Sequence, residues 1–123
     1  MFSTEEVKSI TKIIAKKYDG SIEEKEDSFG VKIVASNKLL YIDWPKTDLA
    51  EVWVTFQQNG KDLYQDWFEC FENEDKTEFV EYITSIPEKF FNSEVRVKRY
   101  GLVLHRYVLE YKNGNEWRSI LEG

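Results

Sequence analysis

The segment VWVTFQQNGKDLYQDWFECF, Val52–Phe71, decides the reading of the fold. Its first half, Val52-Trp53-Val54-Thr55-Phe56, is β-branched and aromatic and leads into Asn59-Gly60, a dipeptide suited to a two-residue hairpin turn. The second half reads two ways. Leu63, Trp67 and Phe71 fit one helical stripe, whereas Leu63, Gln65 and Trp67 alternate with Tyr64, Asp66, Phe68 and Cys70 as the two faces of a strand. The preceding turn and the aromatic density favour the strand. The segment is then a β-hairpin, and a chain built from hairpins rather than helical crossovers makes an antiparallel sheet.

Upstream, Ser3 and Glu6 have the spacing of a capping box, in which hydroxyl and carboxylate satisfy two otherwise orphan amides. Val7, Ile10, Ile13, Ile14 and Tyr18 follow at helical spacing, with lysines elsewhere on the cylinder. The spacing predicts a helix over residues 4–18 that buries Ile10, Ile13 and Ile14, with Gly20 as a left-handed stop. Strands are expected at 29–34 and 39–44, the second ended by Pro45, which has no amide to give a ladder.

Downstream, Asp75 and Glu78 repeat the capping-box spacing, and Phe79, Tyr82, Ile83 and Ile86 mark a helix face that reaches Pro87. Proline suits the first turn of a helix, so Pro87-Glu88-Lys89-Phe90-Phe91 is expected as a separate short turn. Val95 and Val97 alternate with Arg96 and Lys98, Leu102–Tyr111 reads as one long strand, and Asn113-Gly114 is a second hairpin turn expected to pair Tyr111 with Glu116 and Leu109 with Arg118. The whole is α+β, in the order α-β(4)-α-β(3). It comprises an antiparallel sheet of six to seven strands packed on an N-terminal helix and one further helix. At 123 residues the length suits a single compact domain, 1–123, able to bury a core without metal or disulfide.

Charge is unevenly spread along this acidic chain of net −6. Residues 62–93 hold two lysines (Lys76, Lys89) against nine acids, net −7, while residues 1–61 are close to neutral and 94–123 carry a small positive excess. Such a segment repels phosphate backbones and anionic lipid, so neither nucleic acid nor membrane is expected as a direct partner, and it favours a cationic protein. The start, Met-Phe-Ser-Thr-Glu-Glu, does not read as a signal peptide, and Cys70 is the sole cysteine, so a reducing, cytoplasmic setting is expected.

No enzyme signature emerges. His105 is the one histidine, read as a packed strand residue, and no nucleophile motif points to it. Calcium-loop spacing, phosphate-cradling glycines and zinc-ligand spacing are all missing, so no catalytic residue, metal or cofactor is assigned. The 19 aromatic residues often adjoin acids, as in Asp43-Trp44, Glu51-Val52-Trp53, Asp66-Trp67 and Glu116-Trp117. Interfaces use that pairing, with rings as anchors and acids setting charge preference. The expected partner-binding residues are Tyr64, Asp66, Trp67, Glu69, Glu72, Glu74, Asp75 and Glu78. These features suit a small acidic inhibitor of the bacterial immunity type, a monomer or homodimer that neutralises a basic toxin domain, often a nuclease, by occlusion. A secretion-type chaperone or adaptor that holds a client as a homodimer is the alternative.

Overall fold

Asn59 and Gly60 hold φ of 56° and 76°, and Gln58 pairs with Lys61 across them. Two consecutive positive φ angles make a turn whose twist matches that of paired strands, so the segment closes as a hairpin and Lys61–Glu69 is strand. The structure, a computed structural model, describes residues 2–70 and 75–121. Its elements run α1 (Thr4–Tyr18), β1 (Ser21–Glu24), β2 (Ser28–Ala35), β3 (Lys38–Pro45), β4 (Glu51–Gln58), β5 (Lys61–Glu69), α2 (Lys76–Phe91), β6 (Val95–Tyr100), β7 (Arg106–Asn113) and β8 (Glu116–Ser119). The class is α+β, with eight antiparallel strands in two sheets among the described residues: β1-β2-β3-β4-β5 and β6-β7-β8. The chain divides into two compact units, residues 1–80 and 81–123.

In the first unit the capping box forms as the spacing predicts: Ser3 Oγ accepts from the Glu6 amide at 3.1 Å, and Glu6 Oε1 accepts from the Ser3 amide at 3.0 Å. The buried stripe is Val7, Ile10, Thr11 and Ile14. Ile13, expected in the core, is 54% exposed. At 3.6 residues per turn it lies roughly 100° around the cylinder from the centre of that stripe. Thr11 takes the inward position instead and stays satisfied by donating its hydroxyl hydrogen to the carbonyls of Val7 and Lys8, at 3.0 and 2.9 Å. The left-handed stop is Asp19 (φ 54°), not Gly20. Gly20 serves a close approach: a Cβ there would lie 3.0 Å from the Lys32 carbonyl oxygen and from Val31.

The strand missing from the sequence reading is β1, only four residues long and mostly exposed. In the five-stranded sheet Val31 and Ile33, Leu40, Ile42 and Trp44, and Val52, Val54 and Phe56 stand in register on one face, each no more than 1% exposed. Helix α1 covers the β1–β2 side of the sheet. Phe79, at the start of α2, packs its ring against Phe2 and Phe68.

In the second unit α2 runs on through Pro87 to Phe91 without the expected break, with Ile83, Ile86 and Phe90 buried. The last hairpin turns on Gly114-Asn115 rather than Asn113-Gly114. Asn113 pairs with Glu116 and Tyr111 with Arg118, and among these residues only Gly114 holds positive φ (66°), the sign pattern of a type II′ turn. The register is therefore two residues away from the expected one. Leu102–His105 is not strand: β7 begins at Arg106, and His105 is exposed in the preceding loop rather than packed in a sheet. Glu110 is buried beside β6, where it accepts from Arg96 Nε at 2.8 Å and from the Tyr100 hydroxyl at 2.6 Å.

Candidate protein-binding face

The β4–β5 ladder contains an irregularity that sets the chemistry of its surface. Gln57 pairs with Asp62 but Phe56 pairs with Tyr64, so Leu63 is an extra residue on β5, a β-bulge. Beyond the bulge Val54 pairs with Asp66, Trp53 with Trp67, Val52 with Phe68 and Glu51 with Glu69. Directly paired residues share a face. Tyr64, Asp66 and Phe68 therefore point to the buried side, with Phe56, Val54 and Val52. Trp67 and Glu69 point outward with Trp53 and Glu51.

The expected site residues separate accordingly. Tyr64 and Asp66 share one face of β5, and Asp66 accepts from the Trp67 amide at 2.8 Å. Trp67 and Glu69 share the other. Asp75 is turned to its own helix, where its carboxylate accepts from the amides of Thr77 (2.8 Å) and Glu78 (3.4 Å) as an N-cap, and Glu78 lies exposed in the first turn. Glu72 and Glu74 lie outside the described residues.

The outer face brings together residues that were not assigned to the site. Trp53 and Trp67 stack with ring centroids 6.0 Å apart and planes 27° from parallel, and Trp67 remains 47% exposed on this edge strand. Two pairs further along the ladder, on the same face, Glu51 and Glu69 stand opposite each other, with Glu51 accepting from the Trp53 indole N–H. Carboxylates directly opposite on a ladder repel, at a cost of roughly 0.2–1 kcal/mol. Neither forms an ion pair among the described residues. The stack therefore presents an exposed aromatic surface beside two carboxylates that no cation pairs with among the described residues.

Next to the stack, on the same face, lies an open cleft of about 400 Å³ lined by Lys25, Asp27, Ser28, Asp43, Pro45, Trp53, Thr55 and Gln65. Asp43 pairs with both Gly30 and Trp53, and its carboxylate lies where a side chain at residue 30 would be: a Cβ there would sit 2.5 Å from Asp43 Oδ1. Burial pushes the Asp43 carboxyl above its ordinary range. Lys25 pulls the other way, and Glu23 and Asp27 add to the rise. Gln65 closes the floor by donating from its amide to Thr55 Oγ1 at 2.9 Å.

Among the described residues no three His, Cys, Asp or Glu side chains converge as a metal-binding group, and no helix is long and apolar enough to cross a membrane. Comparison of the chain with known protein families, with curated proteins and with solved structures finds no match.

Proposed function

We propose that this chain is a small acidic protein-binding inhibitor of the immunity type, which occludes a basic protein, such as a toxin domain with a cationic nucleic-acid cleft. The observation that carries the reading is the Glu51–Glu69 pair beside the Trp53–Trp67 stack. Beyond the bond from the Trp53 indole to Glu51, the fold gains nothing from placing the second carboxylate, Glu69, directly opposite. A partner arginine gains doubly there, because its guanidinium can bridge both carboxylates and lie on the open ring of Trp67. Carboxylates so held would stand where substrate phosphates bind on a nuclease. The net −7 of residues 62–93 adds a steering field that speeds encounter with such a partner.

Mixing the protein with the product of the adjacent reading frame tests this. A one-to-one complex that suppresses the partner's activity, weakened by Glu51→Gln/Glu69→Gln and by Trp67→Ala, supports the reading. A partner that binds all three forms alike contradicts the site. A neighbouring product that neither binds nor loses activity contradicts the function.

A further inference from the structure

The most exposed apolar residues described lie at the tip of the β6–β7 hairpin. Leu102, Val103 and Leu104 are 99%, 89% and 86% exposed. The tip has a defined shape: Gly101 holds φ of +95°, and the Leu104 carbonyl oxygen folds back to where a Cβ on residue 101 would be, 2.0 Å away. Three consecutive aliphatic side chains in water are costly, and a formed loop holds them there.

The residues around the tip are of one charge type. From Val95 to Leu109 there is no acid, while Arg96, Lys98, Arg99 and Arg106 are cationic. Glu110, the acid nearest in sequence on β7, is already engaged by Arg96 and the Tyr100 hydroxyl. Lys98, Arg99 and Arg106 pair with no acid among the described residues. Tyr100 and Tyr107, 37% and 55% exposed, flank the tip with rings that are apolar in body and polar at the hydroxyl.

We propose that this tip docks reversibly on an anionic bilayer surface, with Leu102, Val103 and Leu104 among the acyl chains, the tyrosines at the interface, and Lys98, Arg99 and Arg106 on lipid phosphates. A protein groove covers one side of an inserted strand, whereas these three successive side chains are bare on all sides, as an isotropic apolar medium requires. The cationic collar selects negative lipid. The expectation of no membrane partner came from the charge of residues 62–93. The collar on β6 and β7 carries the opposite sign, and charge attraction to a surface acts over about 8 Å, so it is the groups at the docking tip itself that meet the lipid. This docking is independent of the inhibitor function, since the tip and the Glu51–Glu69 pair belong to different units.

Sedimentation of the full chain with vesicles tests it, using phosphatidylcholine alone and phosphatidylcholine mixed with phosphatidylglycerol. Binding to the mixed vesicles only, falling as salt is raised, is expected. Leu102→Ser/Leu104→Ser should weaken it at least ~10-fold with an unchanged denaturation midpoint, because those side chains are solvent-exposed, and Arg99→Gln/Arg106→Gln should weaken it and flatten its dependence on salt. Failure to bind mixed vesicles at low salt overturns the proposal. So does equal binding by the serine variant, or a serine variant that instead dissociates an oligomer of the chain, which would make the tip a protein contact.

Discussion

Glu51 and Glu69 stand directly opposite each other across the β4–β5 ladder, two pairs along from the stacked rings of Trp53 and Trp67 and on the same face. Repulsion between them opposes folding, so removing one charge should help the isolated protein even as it harms binding. Glu69→Gln is expected to raise the unfolding free energy, measured by chemical denaturation, by about 0.2–1 kcal/mol, and Glu69→Lys at least as much by creating an attractive pair. A lowered midpoint for both would show that the carboxylates are not in conflict.

Helix α1 should respond to truncation according to its buried stripe rather than its hydrophobicity. Ile14→Ala, at a site 1% exposed, is expected to cost about 2–5 kcal/mol. Ile13→Ala should stay within about 0.5 kcal/mol of the parent, as exposed substitutions usually do. Equal losses in urea unfolding would place Ile13 in the core after all.

Gly30 is needed for space. A Cβ at this position would meet the Ile42 carbonyl oxygen at 2.2 Å and Asp43 Oδ1 at 2.5 Å, so Gly30→Ala must move β3 or the Asp43 side chain. Overpacking of this kind costs about 1–3 kcal/mol, and thermal unfolding of the variant measures it. An unchanged melting temperature would mean that the Asp43 carboxylate does not lie over Gly30.

Two carboxyl groups give opposite pH signatures. The Tyr100 hydroxyl bond, opposed by desolvation and helped by Arg96, holds Glu110 below its ordinary value near 4.5, so its contribution is complete above that value and is lost as pH falls through the lowered one. Asp43, raised by burial, behaves in reverse: its ionised form costs stability at neutral pH, and the cost vanishes below its ordinary value near 3.8. Unfolding across pH 2–8 should therefore show Glu110→Gln less stable than the parent at neutral pH and Asp43→Asn more stable, both differences shrinking in acid. Reversal of either sign would contradict the corresponding contact.

The order of elements was legible because long periodic segments and capping residues announce themselves: Ser3 with Glu6, Asp75 before α2, Asn59-Gly60 between β4 and β5. Short or irregular features were not. Strand β1 has four residues and little burial, so it carries no pattern beyond its own ladder. The outer face was hidden by a single residue. A hairpin closed at Gln58–Lys61 without a bulge would set Asp66 opposite Trp53 and Phe68 opposite Glu51. Only the extra residue, Leu63, brings Trp67 to Trp53 and Glu69 to Glu51. Trp67 and Glu69 could thus be singled out from composition, while their partners Trp53 and Glu51 depended on a register that propensity does not encode. Leu102–Leu104 misled for a related reason: aliphatic residues beside a strand pattern read as strand, although here they form its exposed turn.

Nuclear magnetic resonance titration with an oligoarginine peptide tests the cation site most directly. The indole N–H signals of Trp53 and Trp67 and the amides of Glu51 and Glu69 should move first and furthest, and these shifts should collapse in Glu51→Gln/Glu69→Gln while Lys98→Glu/Arg99→Glu leaves them in place. Largest shifts at Asp75, Glu78 and Glu81 instead, or shifts at the tryptophans that survive in the double glutamine variant, would contradict a cation site built by the Glu51–Glu69 pair.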